Sequence, residues 1–284
     1  MGASSERRRV VRVGPGSGSA GSARTARPDT LAVEEPLMVR LVRGGGPVRS
    51  PSLAGPGSEP LTLTMRTPGN DFDLVAGWLV GEGAVGSASD VVGMKACRDE
   101  DNTIDVALAP GVVPPRPRAQ LTTSACGVCG SDTIVGVSGA LRWPVAGDPV
   151  RVGADVVTGL PGRLRERQRT FERTGGLHAA GLFTADGEPL YVREDVGRHN
   201  AVDKVVGAAL RDGRLPAAGT VLQVSGRASF ELVQKAARAG IPVLSAISAP
   251  STLAVDLAES CGLTLLGFVR GGSMNVYARA DRVR

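Results

Sequence analysis

The stretch that decides the fold is TVLQVSGRASFELVQKAARAGIPVLSAISAPSTLAVDLAESCGLTLLGFV, residues 220–269. Three apolar runs typical of buried strands alternate here with two segments of helical periodicity. In chain order, the five segments are 220–225, 229–240, 241–248, 251–262 and 263–269. The helical segments end at Gly240 and Gly262, and glycine commonly terminates a helix. This alternation predicts parallel strands, right-handed crossovers and helices on the faces of the sheet.

The preceding segments extend this domain. HAAGLFTADGEPLYVRED, residues 178–195, predicts a β-hairpin that turns at Asp186 and Gly187. A helix is expected from about Val196 to Arg211. We therefore predict a three-layer α/β domain over residues 146–284.

Residues 29–120 are expected to form a smaller α+β domain. Strand-like alternation lies on both sides of a turn-rich insert, and Phe72, Trp78 and Leu79 have the helical spacing of core-facing residues. A proline-rich stretch leads into residues 121–145, which we expect to be a flexible loop and connector. The fold class is thus α/β in the second domain, and α+β for the chain overall.

The whole net charge of +5 lies in the N-terminal tail, residues 1–28. The tail carries six arginines against Glu6, whereas the rest of the chain balances its charges. Because it is rich in Gly, Ser, Ala and Arg, the tail is expected to be disordered. The balanced body has few aromatic residues, so we expect no nucleic-acid partner. Since no apolar segment resembles a signal sequence or a membrane span, we expect a soluble cytoplasmic protein without membrane association.

Small and hydroxylated residues follow each predicted parallel strand. The three loops are SGRAS (225–229), SAPST (248–252) and RGGSMN (270–275). Parallel strands end at one edge of a sheet, so Ser225, Gly226, Arg227 and Arg270 are expected to meet there. Backbone N–H groups, helix N-termini and two guanidinium groups favour a phosphate or pyrophosphate. The alternative is that these loops are ordinary turns, in which glycine and serine are common.

TTSACGVCG, residues 122–130, separates Cys126 from Cys129 by only two small or apolar residues. A structural zinc site needs four ligands, and no second close pair exists. The remaining candidate ligands are Cys97, Cys261, His178 and His199. A thioredoxin-like redox pair begins a helix, whereas this pair follows proline-rich sequence. Two further interpretations are an inert loop, or a sulfur carrier whose exposed thiolate takes sulfur from a persulfide.

The assembled motifs resemble those of one family, the FdhD-type proteins. The matching stretches are EEPLMVRLV, DFDLVAGWLVGEG, TTSACGVCG, TGGLHAA, REDVGRHNAVDKVVG, SGRASFELVQKAARAG and SAPSTLAVDLAESCGLTLLGF. The resemblance covers nearly everything except the tail. It implies a sulfurtransferase that takes persulfide sulfur from a cysteine desulfurase. The sulfur then passes to the molybdenum or tungsten of a bis-molybdopterin guanine dinucleotide cofactor, bound as a substrate before it enters formate dehydrogenase.

The resemblance also assigns residues. The first cysteine of the pair bears the persulfide in the family, which corresponds to Cys126, and Cys129 assists. The family's cofactor-binding stretch corresponds to Phe268, Val269, Arg270, Gly271, Gly272 and Ser273. The catalytic subunit of formate dehydrogenase is the implied partner, no structural metal is implied, and a homodimer is compatible with the family. The alternative function is a cofactor-binding chaperone without sulfur chemistry.

The family's C-terminal domain is similar to the cytidine deaminase fold. His178 would then occupy the position of that fold's first zinc ligand, with the catalytic glutamate absent. Some relatives carry a cysteine before this histidine, where this chain has Leu177.

The motif REDVGRHNAVDK has two interpretations. In one, Asp195 and its neighbours cap a helix and form buried polar contacts. In the other, Arg198 and His199 lie at the sheet edge, where His199 contacts the cofactor or handles protons and Asp195 orients them. Cys97 and Cys261 are predicted to be core thiols.

Overall fold

The structure, a computed structural model, describes residues 2–15, 22–42, 58–98, 100–117 and 134–284. Over these residues it has a mixed α/β fold with three β-sheets and seven α-helices. Cys126 and Cys129 lie outside the described residues, and of the predicted loop at 121–145 only the part from residue 134 is described. None of the described helices has the length and apolar character needed to span a bilayer.

The N-terminal segment forms a two-stranded antiparallel sheet where we predicted a disordered tail. β1 (Ser5–Pro15) and β2 (Ser22–Ala32) pair in continuous register along their whole length. The prediction of disorder is wrong, because the few apolar residues of this segment include Val10, Val11 and Val13 within a single strand. These β-branched residues favour an extended backbone.

A four-stranded sheet and one helix follow. The elements are β3 (Glu35–Val42), β4 (Ser58–Arg66), α1 (Asp71–Gly81), β5 (Val91–Ala96) and β6 (Thr103–Leu108). The strand order is β4-β3-β6-β5, with β3 and β6 parallel and the other pairs antiparallel. Leu79 on α1 is fully buried, and Phe72 and Trp78 pack partly buried against the same core, which confirms their predicted role.

The second half contains six strands and six helices among the described residues. In chain order they are α2 (Ile134–Gly139), α3 (Ala154–Arg165), α4 (Arg169–Thr174), β7 (His178–Thr184), β8 (Pro189–Asp195), α5 (Arg198–Arg211), β9 (Thr220–Val224), α6 (Phe230–Arg238), β10 (Val243–Ala246), α7 (Thr252–Cys261), β11 (Thr264–Arg270) and β12 (Ser273–Ala278).

The sheet of this half has the strand order β12-β11-β10-β9-β7-β8. β9, β10 and β11 are parallel, and β7 and β8 form the hairpin expected at Asp186 and Gly187, which confirms both predictions. α5 begins at Arg198 rather than Val196, because the extended Gly197 is its N-cap. β12 and α3 were not predicted. Glycines and Pro161 obscure the helical pattern of α3. The likeness to the cytidine deaminase fold stays a prediction.

Helices cover both faces of the six-stranded sheet. Neighbouring residues on each central strand point to opposite faces, as Val243 and Leu244 do. Val243 packs with the apolar face of α3, whereas Leu244 belongs to the larger core formed with α5, α6 and α7. This larger core continues into α1 and the four-stranded sheet, where it includes Leu37 and Leu79. The helix layer is therefore shared by the two sheets.

Two glycines allow α1 and α5 to touch through their backbones. A Cβ atom on Gly77 would overlap the carbonyl oxygen of Asp203, and one on Gly207 would overlap that of Asp73. Because each helix presents a glycine where the other's backbone passes, the two halves of the chain meet at van der Waals distance along this crossing.

Candidate functional site

The loops that follow β9, β10 and β11 lie against one another at one edge of the sheet. The Ser248 N–H donates to the Gly226 carbonyl oxygen at 3.3 Å, and the Phe268 N–H donates to the Ser248 carbonyl oxygen at 3.2 Å. The Ser225 N–H donates to the Ala179 carbonyl oxygen at 3.0 Å, which adds the start of β7. The structure thus brings together the loop residues that the topology predicted to converge. Their role in binding stays a prediction.

The predicted cofactor-binding stretch is the turn between β11 and β12. Gly271 and Gly272 have φ angles of 59° and 75°, a left-handed backbone that glycine adopts readily. Arg270, Gly271, Gly272 and Ser273 are all exposed. Val269 is the exception in this stretch, because its side chain is fully buried in the core and only its backbone can face a ligand.

Phe268 holds an unusual backbone conformation at this edge. Its φ angle is 52°, which is uncommon for a residue with a Cβ atom and is maintained only where the surroundings impose it. The guanidinium carbon of Arg270 lies 5.4 Å from the centre of the Phe268 ring. An aromatic ring beside a guanidinium group offers a surface on which a planar heterocycle and its phosphates can bind.

Two further arginines at this edge, Arg198 and Arg227, have N–H donors available for a ligand. Arg227 is exposed and forms no ion pair with any residue that the structure describes. Arg198 lies at the start of α5, and its Nε atom is buried without a hydrogen-bond acceptor among the described residues. A buried donor left unsatisfied costs about 1–3 kcal/mol. An anionic ligand at this edge would supply the missing acceptor.

Two histidines flank Arg198. His178 begins β7, and its Nδ1 atom would lie 3.4 Å from a Cβ atom built on Gly226. Burial and the Arg198 cation lower the pKa of His178, against a smaller opposing effect of Asp195. The two imidazoles and the guanidinium group therefore form one cluster beside the loops, with His178 neutral at physiological pH.

His199 is held by α6 through its Nε2 atom. This atom lies 3.3 Å from Glu231 Oε2 and 3.4 Å from Ser229 Oγ. Burial, followed by the Lys235 and Arg198 cations, lowers the pKa of His199 to about 3. Glu231 favours the imidazolium, but its carboxylate is shared with Lys235 at 4.0 Å. We therefore assign a neutral ring whose Nε2–H donates to Glu231.

The buried state of His199 predicts a pH dependence of stability. Below pH 6.5 the unfolded chain binds a proton at this residue that the native state refuses, so the free energy of unfolding falls as the pH drops from 6.5 towards 3. His199→Gln keeps a hydrogen-bond donor for Glu231 and removes the titratable imidazole, so this pH-dependent contribution to stability is lost. We expect the variant to lose less stability than the parent between pH 6.5 and 4.5, by up to about 1.4 kcal/mol per pH unit. Urea unfolding at several pH values measures the free energy of unfolding of both proteins. If this free energy changed equally with pH in the variant and the parent, the neutral state of His199 would be contradicted.

Asp195 is a structural residue. Its carboxylate is fully buried and accepts hydrogen bonds from the Thr67 N–H at 3.2 Å and the Gly197 N–H at 2.8 Å. Lys204 Nζ lies 2.6 Å from the same carboxylate. Within the described part of the chain it makes no hydrogen bond to Arg198 or His199. Of the two interpretations of this motif, the buried polar anchor is the one that the contacts support for Asp195, and it ties the loop after β4 to α5.

Glu231, Lys235 and Asp203 were not among the predicted site residues. Lys235 Nζ lies 2.7 Å from Asp203 Oδ1, and the pair is buried behind His199. Burial lowers the pKa of Lys235, but the Asp203 and Glu231 carboxylates outweigh this and raise it. The spacing of Glu231 and Lys235, one helical turn apart, was the signal in the sequence. The partner on α5 could not be found without the fold.

The two described cysteines differ in their burial. Cys261 is buried, as predicted, and burial raises the pKa of its thiol. Cys97 is half-buried at the end of β5 rather than in the core. Among the described residues, no three His, Cys, Asp or Glu side chains converge in a way that could hold a metal ion.

Comparison with known proteins places this chain in a family. A model of the FdhD/NarQ family matches residues 56–284. The sulfur carrier protein FdhD of Nocardia farcinica is 54% identical over 98% of this chain and 94% of its own length. The protein of the same name from Sulfurisphaera tokodaii is 42% identical over 90% of this chain and 92% of its own length.

A solved structure shares the fold. It is the crystal structure of a formate dehydrogenase accessory protein from Desulfotalea psychrophila. The two align with a TM-score of 0.75 and 22% sequence identity, over 99% of this chain and 100% of that chain.

Proposed function

Since the chain belongs to the FdhD/NarQ family, we propose that it is a sulfur carrier that serves formate dehydrogenase. The observation that carries the proposal is the pair Cys126 and Cys129 in TTSACGVCG, in a chain more than half identical to a protein named as a sulfur carrier. The sheet edge supports it as the place where the acceptor of the sulfur binds.

The first step is the loading of Cys126 by a cysteine desulfurase. The Cys126 thiolate attacks the terminal sulfur of the donor's persulfide, a new S–S bond forms, and the donor's S–S bond breaks. The terminal sulfur and its proton move to Cys126, and the donor leaves as a thiolate. No metal and no external oxidant enters this exchange. Cys129, separated from Cys126 by two residues in the sequence, assists the later release of the sulfur by thiol exchange.

The second step delivers the sulfur to a molybdenum or tungsten bis-pterin guanine dinucleotide, which is cargo rather than a resident cofactor. Its pyrophosphates need cationic and N–H donors. Arg198 with its unsatisfied Nε, Arg227 and Arg270 provide the cations, and the glycines of the turn after β11 provide exposed N–H groups. The ring of Phe268 provides an aromatic surface for guanine. His199, which stays neutral, contacts the cargo by accepting a hydrogen bond at Nδ1, the ring nitrogen that Glu231 leaves free.

Mass spectrometry of the intact protein tests the loading step. After incubation with a cysteine desulfurase and cysteine, we expect one added sulfur atom on Cys126, removed by a reductant. Cys126→Ser should show no addition, whereas Cys97→Ser should load like the parent. An addition that persists in Cys126→Ser, or one stoichiometric zinc ion with both thiols protected from alkylation, would refute the carrier proposal.

A further inference from the structure

The charge of this protein is concentrated on the β1–β2 hairpin. Residues 1–32 contain six arginines and two carboxylates, a net charge of +4 out of the chain's +5. All six arginine side chains are exposed. Within the described part of the hairpin a single arginine forms an ion pair, Arg8 with Glu6 at 3.1 Å, and both partners are more than half exposed. The other five guanidinium groups face solvent.

One face of the hairpin also exposes apolar side chains. Residues alternate between the faces of a strand, so Arg7, Arg9, Val11 and Val13 share a face. Val11 is 60% exposed and Val13 is 57% exposed. Their cross-strand partners are Ala26 and Arg24, so the valines lie between arginines. Arginine around an exposed apolar centre is the composition of a protein–protein interface.

The hairpin projects from the body and is anchored beside the functional edge. At its base the Val33 N–H donates to the Ser4 carbonyl oxygen at 3.0 Å, and β2 packs on α4. A Cβ atom on Gly176 would contact Ala32, and two residues later His178 enters the sheet edge. Near the tip, a Cβ atom on Gly14 would meet nothing within 4 Å. A two-stranded hairpin is only marginally stable in water, so contact of its exposed faces with a partner would stabilise it.

We propose that the β1–β2 hairpin is a docking arm for an acidic surface of the client formate dehydrogenase. This inference rests on the proposed function, in which formate dehydrogenase receives the sulfur-bearing cofactor from the sheet edge. The anchor near His178 puts a docked partner next to that edge. A second copy of the chain is disfavoured, because two hairpins in contact would bring two charges of +4 together. Nucleic acid is disfavoured, because phosphates would cover the exposed valines without burying them in an apolar surface.

The test is direct binding of the full-length chain to the purified catalytic subunit of formate dehydrogenase. Arg9→Glu with Arg24→Glu reverses charge on both sides of the valines. We expect the dissociation constant of this variant to be at least about tenfold higher than that of the parent, mainly through slower association. Added salt should raise the dissociation constant of the parent, whose attraction it screens, and should narrow the difference between the two. The matched control is Arg98→Glu with Arg151→Glu, two exposed arginines of the body, which changes the total charge equally and should bind like the parent. Val11→Thr with Val13→Thr keeps β-branched residues and should weaken binding several-fold.

Each alternative result is decisive. Equal binding by the two double charge variants, or no binding of the parent to the enzyme, overturns the proposal. So does a shift from dimer to monomer in the hairpin variants, which would make a second copy the partner. Hairpin-dependent binding to double-stranded DNA without binding to the enzyme overturns it as well. Persulfide loading of Cys126 in the same preparations separates the two proposals, because a docking failure leaves loading intact.

Discussion

Serine in place of both Cys126 and Cys129 is expected to reduce activation of formate dehydrogenase to background. A hydroxyl group is not ionised near neutral pH and cannot hold a persulfide, so the sulfur has no carrier. Formate-dependent dye reduction by the dehydrogenase, matured with each variant, measures the effect. Cys129→Ser alone should retain partial activity, because loading needs only the first thiol.

The same double variant separates a carrier from a chaperone. A protein that only shields and docks the cofactor would still activate the enzyme without either thiol, and that result would contradict our proposal. Cys97→Ser is the matched control, since it removes a thiol far from the motif in sequence. Binding of guanosine diphosphate, followed by calorimetry, should be the same in the double variant and the parent. This shows that the sheet edge is intact when the sulfur chemistry is lost.

Alanine at Gly207 is expected to cost about 3 kcal/mol or more in the free energy of unfolding. The added methyl group would overlap the Asp73 carbonyl oxygen, and backbone cannot move aside as a side chain can. α1 and α5 would have to separate, which loosens the core that both sheets share. Asp73 also pairs with Arg193 at 2.9 Å, so displacement of α1 strains that contact too. Urea unfolding followed by circular dichroism measures the loss.

Gly159→Ala is the matched control for this prediction. Gly159 is also a helical glycine, on α3, but a Cβ atom there would meet nothing within 4 Å. Alanine stabilises an exposed helix by roughly 0.5–1 kcal/mol relative to glycine, so the control should be slightly more stable than the parent. If Gly207→Ala lay within about 1 kcal/mol of the parent, the close helix crossing would be wrong.

The parallel half of the fold could be predicted because its pattern is local. Apolar strand runs, helical spacing and the terminal glycines Gly240 and Gly262 all lie within 50 residues of one another. The hairpin of β1 and β2 was missed because an arginine-rich composition hid the alternation of its valines. The shared core could not be predicted, since the close contact that requires Gly77 and Gly207 exists only where α1 and α5 cross in the fold.

The sequence predicts where the loops of the candidate site lie, but it does not predict the hydrogen-bonding and protonation states of the site's side chains. Topology alone placed Ser225 and Arg270 at one sheet edge, because parallel strands end together. The left-handed conformation of Phe268 and the unsatisfied Nε of Arg198 depend on packing between loops, which sequence spacing does not record. The burial that keeps His199 neutral comes from α6, an element 30 residues away in the chain.

The helix crossing between α1 and α5 couples the evolution of the two halves of the chain. Gly77 and Gly207 each lie where the backbone of the other helix passes, so the halves meet backbone to backbone at these points. Because one glycine belongs to each half, a larger residue on either side would displace the other half. Neither half can therefore change its side of the crossing independently.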